Sequence, residues 1–408
     1  MKKLLVKNIG LLATPQGCAA KRGPEQGQIQ MLKDAWVLVE DGIIAQVGAG
    51  AAPEIDGAQI VDAQGKLVTP GLVDAHTHLI FGGWRQNELG MKLHGKTYLE
   101  IQNAGGGIQS STNATRGATE EELTQKAAKA LDEMMSLGTT TVEAKSGYGL
   151  ATEHELKALQ VIKNLNERHA MDIVPTFMGA HLVPKEYKEN REEYIRLVCE
   201  EMMPLVAEQG IAKYCDVFCE ADTFTVEESR RVLEAGLKYG LRPKIHADEI
   251  EAIGGSQLAG EIGAISAEHL IVCPPEGIES LAKGGVIACL LPATSFNLGA
   301  TFAPARDMVN AGVPVAMSSD FNPGSCPCLN MQFVINLGCL KYRLTPEEVL
   351  TAVTLNGAAA IDMADKVGSV EPGKQGDLVI WDAPDLDYIC YRLGSNLVQT
   401  VIKRGEVI

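Results

Sequence analysis

Eight short apolar runs lie between residues 71 and 320, and most of the intervals between them read as amphipathic helix. The runs are LVDAHTHL, TTTVEAKS, DIVPTFMGAH, YCDVFCEA, RPKIHAD, AISAEHL, GVIACLLP and VPVAMSSD. Between them, stretches such as TEEELTQKAAKALDEMMSLG and TVEESRRVLEAGLKYG space their apolar residues three and four apart. Such alternation predicts parallel strands joined by helical crossovers, since a tight turn cannot connect parallel neighbours. Eight units predict an α/β chain folded as a (β/α)8 TIM barrel. A doubly wound open sheet is the alternative, but it leaves the chain ends unexplained. Those ends, in KLLVKNIGLLAT, WVLVEDGIIAQVG, AQIVDAQGKLVTPG, VGSVEPGKQGDLVIWDAP and LVQTVIKRGEVI, read as strands and turns. The expected organisation is a barrel over residues 69–365 and one small β-sandwich domain built from both chain ends, 1–68 and 366–408.

Charge and cysteine usage narrow the partners. The 408-residue chain carries a formal charge of -16, which argues against nucleic acid or an anionic membrane but not against a small anionic substrate. The start, MKKLLVKNIG, resembles a signal sequence only until Lys7 and Asn8 interrupt it. No run approaches the ~20 apolar residues of a membrane span. Among ten cysteines the close pairs are Cys215/Cys219 and Cys326/Cys328, neither with the spacing of a structural zinc site. Reduced thiols in a cytoplasmic protein are expected.

Barrel enzymes place their chemistry where strands end and loops begin. Five of the eight histidines fall there: His76 and His78 after the first run, His181 after the third, His246 after the fifth and His269 after the sixth. Asp248 and Glu249 follow His246, and Asp320 closes the apolar run VPVAM. Two histidines near a strand end can simply be satisfied by hydrogen bonds. Five of them with an aspartate are not expected of a packed core, because burying ionisable groups is costly unless they are paired or bind metal. His76 and His78, two residues apart, share a face. With His246 and Asp320 they form a three-nitrogen, one-oxygen set suited to one Zn2+ or Fe2+/Fe3+, which supplies an activated water. Asp320 would also accept a hydrogen bond from that water, and His269 would orient it. Glu249 would carry its proton, unless it is merely a salt-bridged helix start. His94, His154 and His169 are expected to be solvated. Lys145, on the second strand, is expected to pair with a carboxylate rather than to bridge two metals.

The interval 82–118 is unusually long and contains NAGGGIQSSTNATRG. It reads either as a flexible surface loop or as a lid over the site.

Taken together, PGLVDAHTH, His246, His269, SSDFNPGS and GKQGDLVIWD resemble the amidohydrolase superfamily over essentially the whole chain. The segments DAHTHLIFGGWR, GGGI, EAKSGYGL, MGAHLVP, HADE and SDFNPGS resemble its mononuclear branch that opens an imidazolone ring. The resemblance implies hydrolysis of the lactam bond of 4-imidazolone-5-propanoate to N-formimino-L-glutamate, a single Zn or Fe, and a cytoplasmic homodimer. It places metal ligands on His76, His78, His246 and Asp320. Substrate contacts fall on Arg85, Tyr148, His181, Glu249, Asn322, Gly324 and Ser325. Arg85 is the expected clamp for the propionate, with Tyr98 as a second candidate. Arg85 could instead form a surface ion pair, and Tyr148 could be a core aromatic. His181 is expected to hydrogen-bond the developing oxyanion. Rival readings are deamination of a base, opening of a dihydropyrimidine or hydantoin ring, and a non-catalytic scaffold.

Overall fold

The computed structural model describes residues 2–96, 100 and 106–408. Eight strands hydrogen-bond in chain order, all parallel: Leu72–Asp74, Thr139–Lys145, Asp172–Ala180, Tyr214–Cys219, Arg242–Ala247, Ser266–His269, Ile287–Leu290 and Val315–Met317. They are numbered here as the first to eighth barrel strands. Beyond its last ladder pair the first strand meets the eighth. Thr77 and Phe321 form a parallel bridge, the Asp320 amide donates to the His76 carbonyl (3.1 Å), and the His78 amide donates to the Phe321 carbonyl (2.9 Å). That seam brings the two edge strands together, so the sheet is a barrel and not an open, doubly wound one.

The two quoted helical stretches form Glu120–Ser136 and Val226–Lys238. Each starts with a capping box, Thr119 with Glu122 and Thr225 with Glu228, which satisfies backbone amides left over in the first turn. Part of the Gly-, Ser- and Thr-rich interval departs from its reading as a flexible loop, because Ile108–Gly117 is an α-helix. Its Ser111, Thr112 and Thr115 face inward. The Thr112 and Thr115 hydroxyls bond back to the carbonyls of Ile108 and Ser111, and Thr115 also accepts the Gly82 amide. Packing against the chain after the first strand overrides weak local propensity. Tyr98, in the same interval, lies outside the described residues.

The chain ends build a separate sheet. Lys3–Thr14, Gln30–Glu40, Ile43–Ala49, Gln59–Asp62 and Leu67–Pro70 join Leu378–Trp381, Val398–Lys403 and Glu406–Val407. Residues 4–7 pair with 59–62, and residues 11–12 with 67–68. Between them the register breaks near Asn8, whose φ of +54° kinks the strand toward its second partner. Ile44 and Ile402, on strands far apart in the hydrogen-bonded order, share one buried cluster with Leu4 and Val37. The expected sandwich is therefore one continuous sheet curled around its own core.

This sheet meets the barrel where the first three barrel strands begin. Pro70 leads into the first strand through Gly71, where any Cβ would overlap the Thr140 side chain. Lys403, nearly inaccessible, sets its Nζ 2.7 Å from Asp172 at the start of the third strand and 2.6 Å from Asp377. Arg404 also pairs with Asp172. The far ends of the strands are thereby left to the loops. Among the described residues, no helix is long and apolar enough to cross a membrane.

Replacing Lys403 by methionine leaves Asp377 buried without its cation. We expect a loss of about 3 kcal/mol in denaturant unfolding, the scale for breaking a buried pair. An unchanged unfolding midpoint would show that the junction does not depend on this contact.

Candidate active site

The strand ends bring five histidine rings and two carboxylates together in a space from which water is largely excluded. His76, His78, His246, His269 and Asp320 are each at most 3% exposed, and His181 is 6% exposed. The spacing of His76 and His78 puts both rings on one side, with centroids 5.3 Å apart. The barrel seam holds this segment, since Asp320 and Phe321 lie directly beside it.

The ring nitrogens are arranged in a definite sense. His76 Nδ1 lies 2.7 Å from Glu268 Oε2, and His246 Nδ1 lies 3.0 Å from Asp216 Oδ1. A carboxylate only accepts, so both Nδ1 atoms donate and both Nε2 atoms face away from the carboxylates. His246 Nε2 is 3.3 Å from His78 Nε2, and His76 Nε2 is buried without a hydrogen-bond partner. Asp320 Oδ1 sits 3.4 Å from His76 Nε2 and 3.5 Å from His78 Nε2, while its Oδ2 accepts the Thr294 hydroxyl (2.6 Å). Ligand atoms of His76, His78 and His246 lie within 4.8 Å of one another, as do those of His76, His269 and Asp320. An orphaned, buried imidazole nitrogen at such a convergence fits a divalent cation.

Burial sets the charge states. It pushes the imidazoles of His76, His78 and His269 well below their ordinary range and His181 down to about 4, so these rings are neutral. Neutral imidazole is the form that binds metal. Burial raises the Asp320 carboxyl to about 6. It raises Glu249 to about 8, with help from the negative charges of Asp320 and Glu220. Glu249 Oε2 is 3.6 Å from His269 Nε2.

The remaining expected residues fall around this centre. His181 stacks on His78 at 4.9 Å, and Tyr148 packs edge-on against His181 at 5.2 Å. His181 Nδ1 lies 2.9 Å from the Gly147 carbonyl and must donate to it. The neutral ring then offers Nε2 as an acceptor, which conflicts with the expected donation to an oxyanion. Arg85 is mostly buried rather than a surface ion pair. Its guanidinium grips Glu88 at 2.9 and 3.0 Å. Glu88 in turn accepts the Gly107 amide (2.7 Å). Arg85 also lies against the turn after Asp320, where a Cβ on Gly324 would overlap the guanidinium. The Asn322 amide is committed to that turn. Its Oδ1 accepts from the backbone of Gly324, Ser325 and Cys326, and its Nδ2 donates to the Asp320 carbonyl and the Ser325 hydroxyl.

Several contributors were not singled out from sequence. Glu268 and Asp216 hold two of the histidines, and Lys145 pairs with Asp216 and Glu143 as expected of it. Glu220 accepts the amides of Glu249, Ile250 and Glu251. Glu155 accepts those of Gly147, Gly149 and Leu150. The signal was present as charged residues inside apolar strands, two positions before a functional side chain in Glu143/Lys145 and Lys244/His246.

Residues 67–408 match the family described as Amidohydrolase family. An imidazolonepropionase of Alkaliphilus metalliredigens is 51% identical over 414 residues, covering 100% of this chain and 98% of that protein. One from Brevibacillus brevis is 51% identical, again over 100% of this chain and 98% of its own length. The chain belongs to the amidohydrolase family and, within it, to the imidazolonepropionases. Among solved structures, an adenosine deaminase from Xanthomonas campestris with bound zinc superposes with a TM-score of 0.71 at 21% identity, over 100% of this chain and 92% of that one. At that identity the likeness speaks for the fold alone.

The raised Glu249 pKa has a consequence for the metal-free protein. Between its unfolded value near 4.5 and about 8, the native state holds a proton that the unfolded chain has released, so stability falls as pH rises through this window. Glu249→Gln removes that loss. Its unfolding midpoint, measured without metal, should gain on the wild type from pH 5 to pH 8, and parallel curves would contradict the assignment.

Proposed function

We propose that this chain hydrolyses the lactam bond of 4-imidazolone-5-propanoate, giving N-formimino-L-glutamate, as a metal-dependent cyclic amide hydrolase in histidine degradation. The observation that carries this reading is the convergence of His76, His78, His246 and Asp320 in a chain about half identical to imidazolonepropionases over its full length. These four residues would hold one Zn2+ or Fe2+/Fe3+ per subunit. When bound, the ion supplies Lewis acidity and a water that ionises near neutral pH.

The protein's own groups would do the rest. Asp320, anchored through Oδ2 by Thr294, keeps Oδ1 toward the histidines and accepts a hydrogen bond from the attacking water. Water adds to the lactam carbonyl carbon, and the bond from that carbon to the ring nitrogen breaks. Glu249 holds and releases protons near neutrality and would carry one to the departing nitrogen. His269 stands beside it to orient the water. His181, with Nε2 as acceptor, would receive a ring N–H of the substrate instead of stabilising the oxyanion. Tyr148, and the backbone of the turn carrying Gly324 and Ser325, would line the pocket, with Asn322 shaping that turn. Arg85 would exchange its Glu88 contact, in part, for the substrate propionate. The reading includes a homodimer and a cytoplasmic location, the latter supported by ten cysteines that are all free thiols.

Loss of the imidazolone ultraviolet absorbance on adding the enzyme, with metal content measured on the same sample, tests the assignment. Turnover with about one metal per chain supports it. A metal-loaded but inert protein would turn the search to other cyclic amides and amidines. Glu249→Gln should retain metal and lower kcat by about 10²-fold or more. Near-normal kcat would remove Glu249 from proton transfer. Arg85→Met should raise KM for the propionate substrate about tenfold or more while the metal stays bound. An unchanged KM would place the clamp elsewhere.

A further inference from the structure

Beneath the histidines the barrel interior contains an unbroken line of charge. Glu143, Lys145, Asp216, Lys244 and Glu268 are all 0% exposed. Starting from His246, Nδ1 meets Asp216 Oδ1, and Asp216 Oδ2 accepts from Lys145 Nζ at 2.8 Å. Lys145 Nζ also donates to Glu143 Oε1 at 2.9 Å. Lys244 Nζ lies 3.2 Å from Glu143 and 3.5 Å from Glu268 Oε1. Glu268 Oε2 then meets His76 Nδ1 at 2.7 Å. The line therefore begins on one histidine and ends on the other.

Burying five charges is expensive, and apolar side chains of similar volume would fill the same space at less cost. The arrangement needs a reason beyond stability, and its two termini suggest one. Each terminal carboxylate can only accept, so each holds its imidazole with Nδ1 protonated and the Nε2 lone pair directed into the site. Lys145 hydrogen-bonds two carboxylates, while Lys244 donates to the carbonyls of Ala75 and Ala360 and stands at ion-pair distance from Glu143 and Glu268. The Ser266 hydroxyl also donates to Glu268 Oε1, leaving Oε2 for His76. Glu143, touching neither histidine, ties the lysines together and is itself held by the Thr176 hydroxyl at 2.5 Å.

We infer that the chain Asp216–Lys145–Glu143–Lys244–Glu268 is a positioning element that fixes His76 and His246 in the Nδ1–H tautomer, presenting both Nε2 lone pairs to the metal. This rests on the proposed assignment of those two histidines as ligands. Because a neutral imidazole has one lone pair, the wrong tautomer at either position removes a ligand. The element thus acts on the occupancy of the site and not on bond-making steps.

The test uses full-length protein with ¹⁵N-labelled histidine, stripped of metal, and separately the Zn2+ dissociation constant from chelator competition. In the wild type, His76 and His246 should each show a single Nδ1-protonated signature. Glu268→Met should give His76 a mixture of tautomers and weaken Zn2+ about 10- to 100-fold. Glu268→Gln keeps a carbonyl acceptor, so it should preserve the tautomer and weaken Zn2+ only several-fold. Glu143→Gln should also weaken Zn2+ by less than Glu268→Met does. A single Nδ1–H tautomer in Glu268→Met with unchanged Zn2+ affinity, or an Nε2–H signature in the wild type, overturns the inference. Should Glu268→Met fail to fold, Glu268→Gln decides, and wild-type Zn2+ affinity in it counts against the element. If wild-type protein binds no Zn2+, the metal assignment fails, while the tautomers of the stripped protein still judge the charge line by itself.

Discussion

The site depends on how the sheet closes. Eight parallel strands leave two edges, and the hydrogen bonds between residues 76–78 and 320–321 join them just where both strands run out. Strand closure satisfies backbone groups that would otherwise be buried unpaired. In doing so it sets Asp320 against His76 and His78, residues more than two hundred positions apart. The same hydrogen bonds that finish the fold therefore assemble one side of the candidate metal centre.

Around that seam the controlling quantity is desolvation. The imidazoles of His76, His78, His181 and His269 are neutral because water cannot reach them, and burial raises Glu249 to about 8 and Asp320 to about 6 for the same reason. Two buried carboxylates nearby are made tolerable by a fixed set of backbone donors. Glu220 collects three amides from the loop bearing Glu249, and Glu155 three from the loop bearing Tyr148. The loops at this face are thus held from beneath by charge and not left to surface packing. Arg85 follows the same rule, partnered by Glu88 and lying against the Gly324 turn.

Much of this was legible in the chain. All eight barrel strands lie within the apolar runs, since the period of the pattern and the crossover length leave few alternatives. The metal candidates were legible because ionisable groups at the ends of apolar strands have few purely structural uses. The helix Ile108–Gly117 was not, because its residues favour loops in isolation and only contact with Gly82 and the chain around it makes a helix preferable. Which nitrogen His181 offers to the site is not legible for a related reason. A sequence shows that a histidine is present, but which of its nitrogens is free depends on the carbonyl of Gly147.

By itself, the sequence determined the strand–helix alternation, the terminal strands, and which side chains stand at the strand ends, because these follow from local periodicity and steric rules. Tertiary structure alone decided which of those side chains meet. It set the tautomers of His76 and His246 through Glu268 and Asp216, and it committed Asn322 to its own turn. Hydrogen-bond partners and exclusion of water are properties of a closed interior, and neither exists until the barrel has formed.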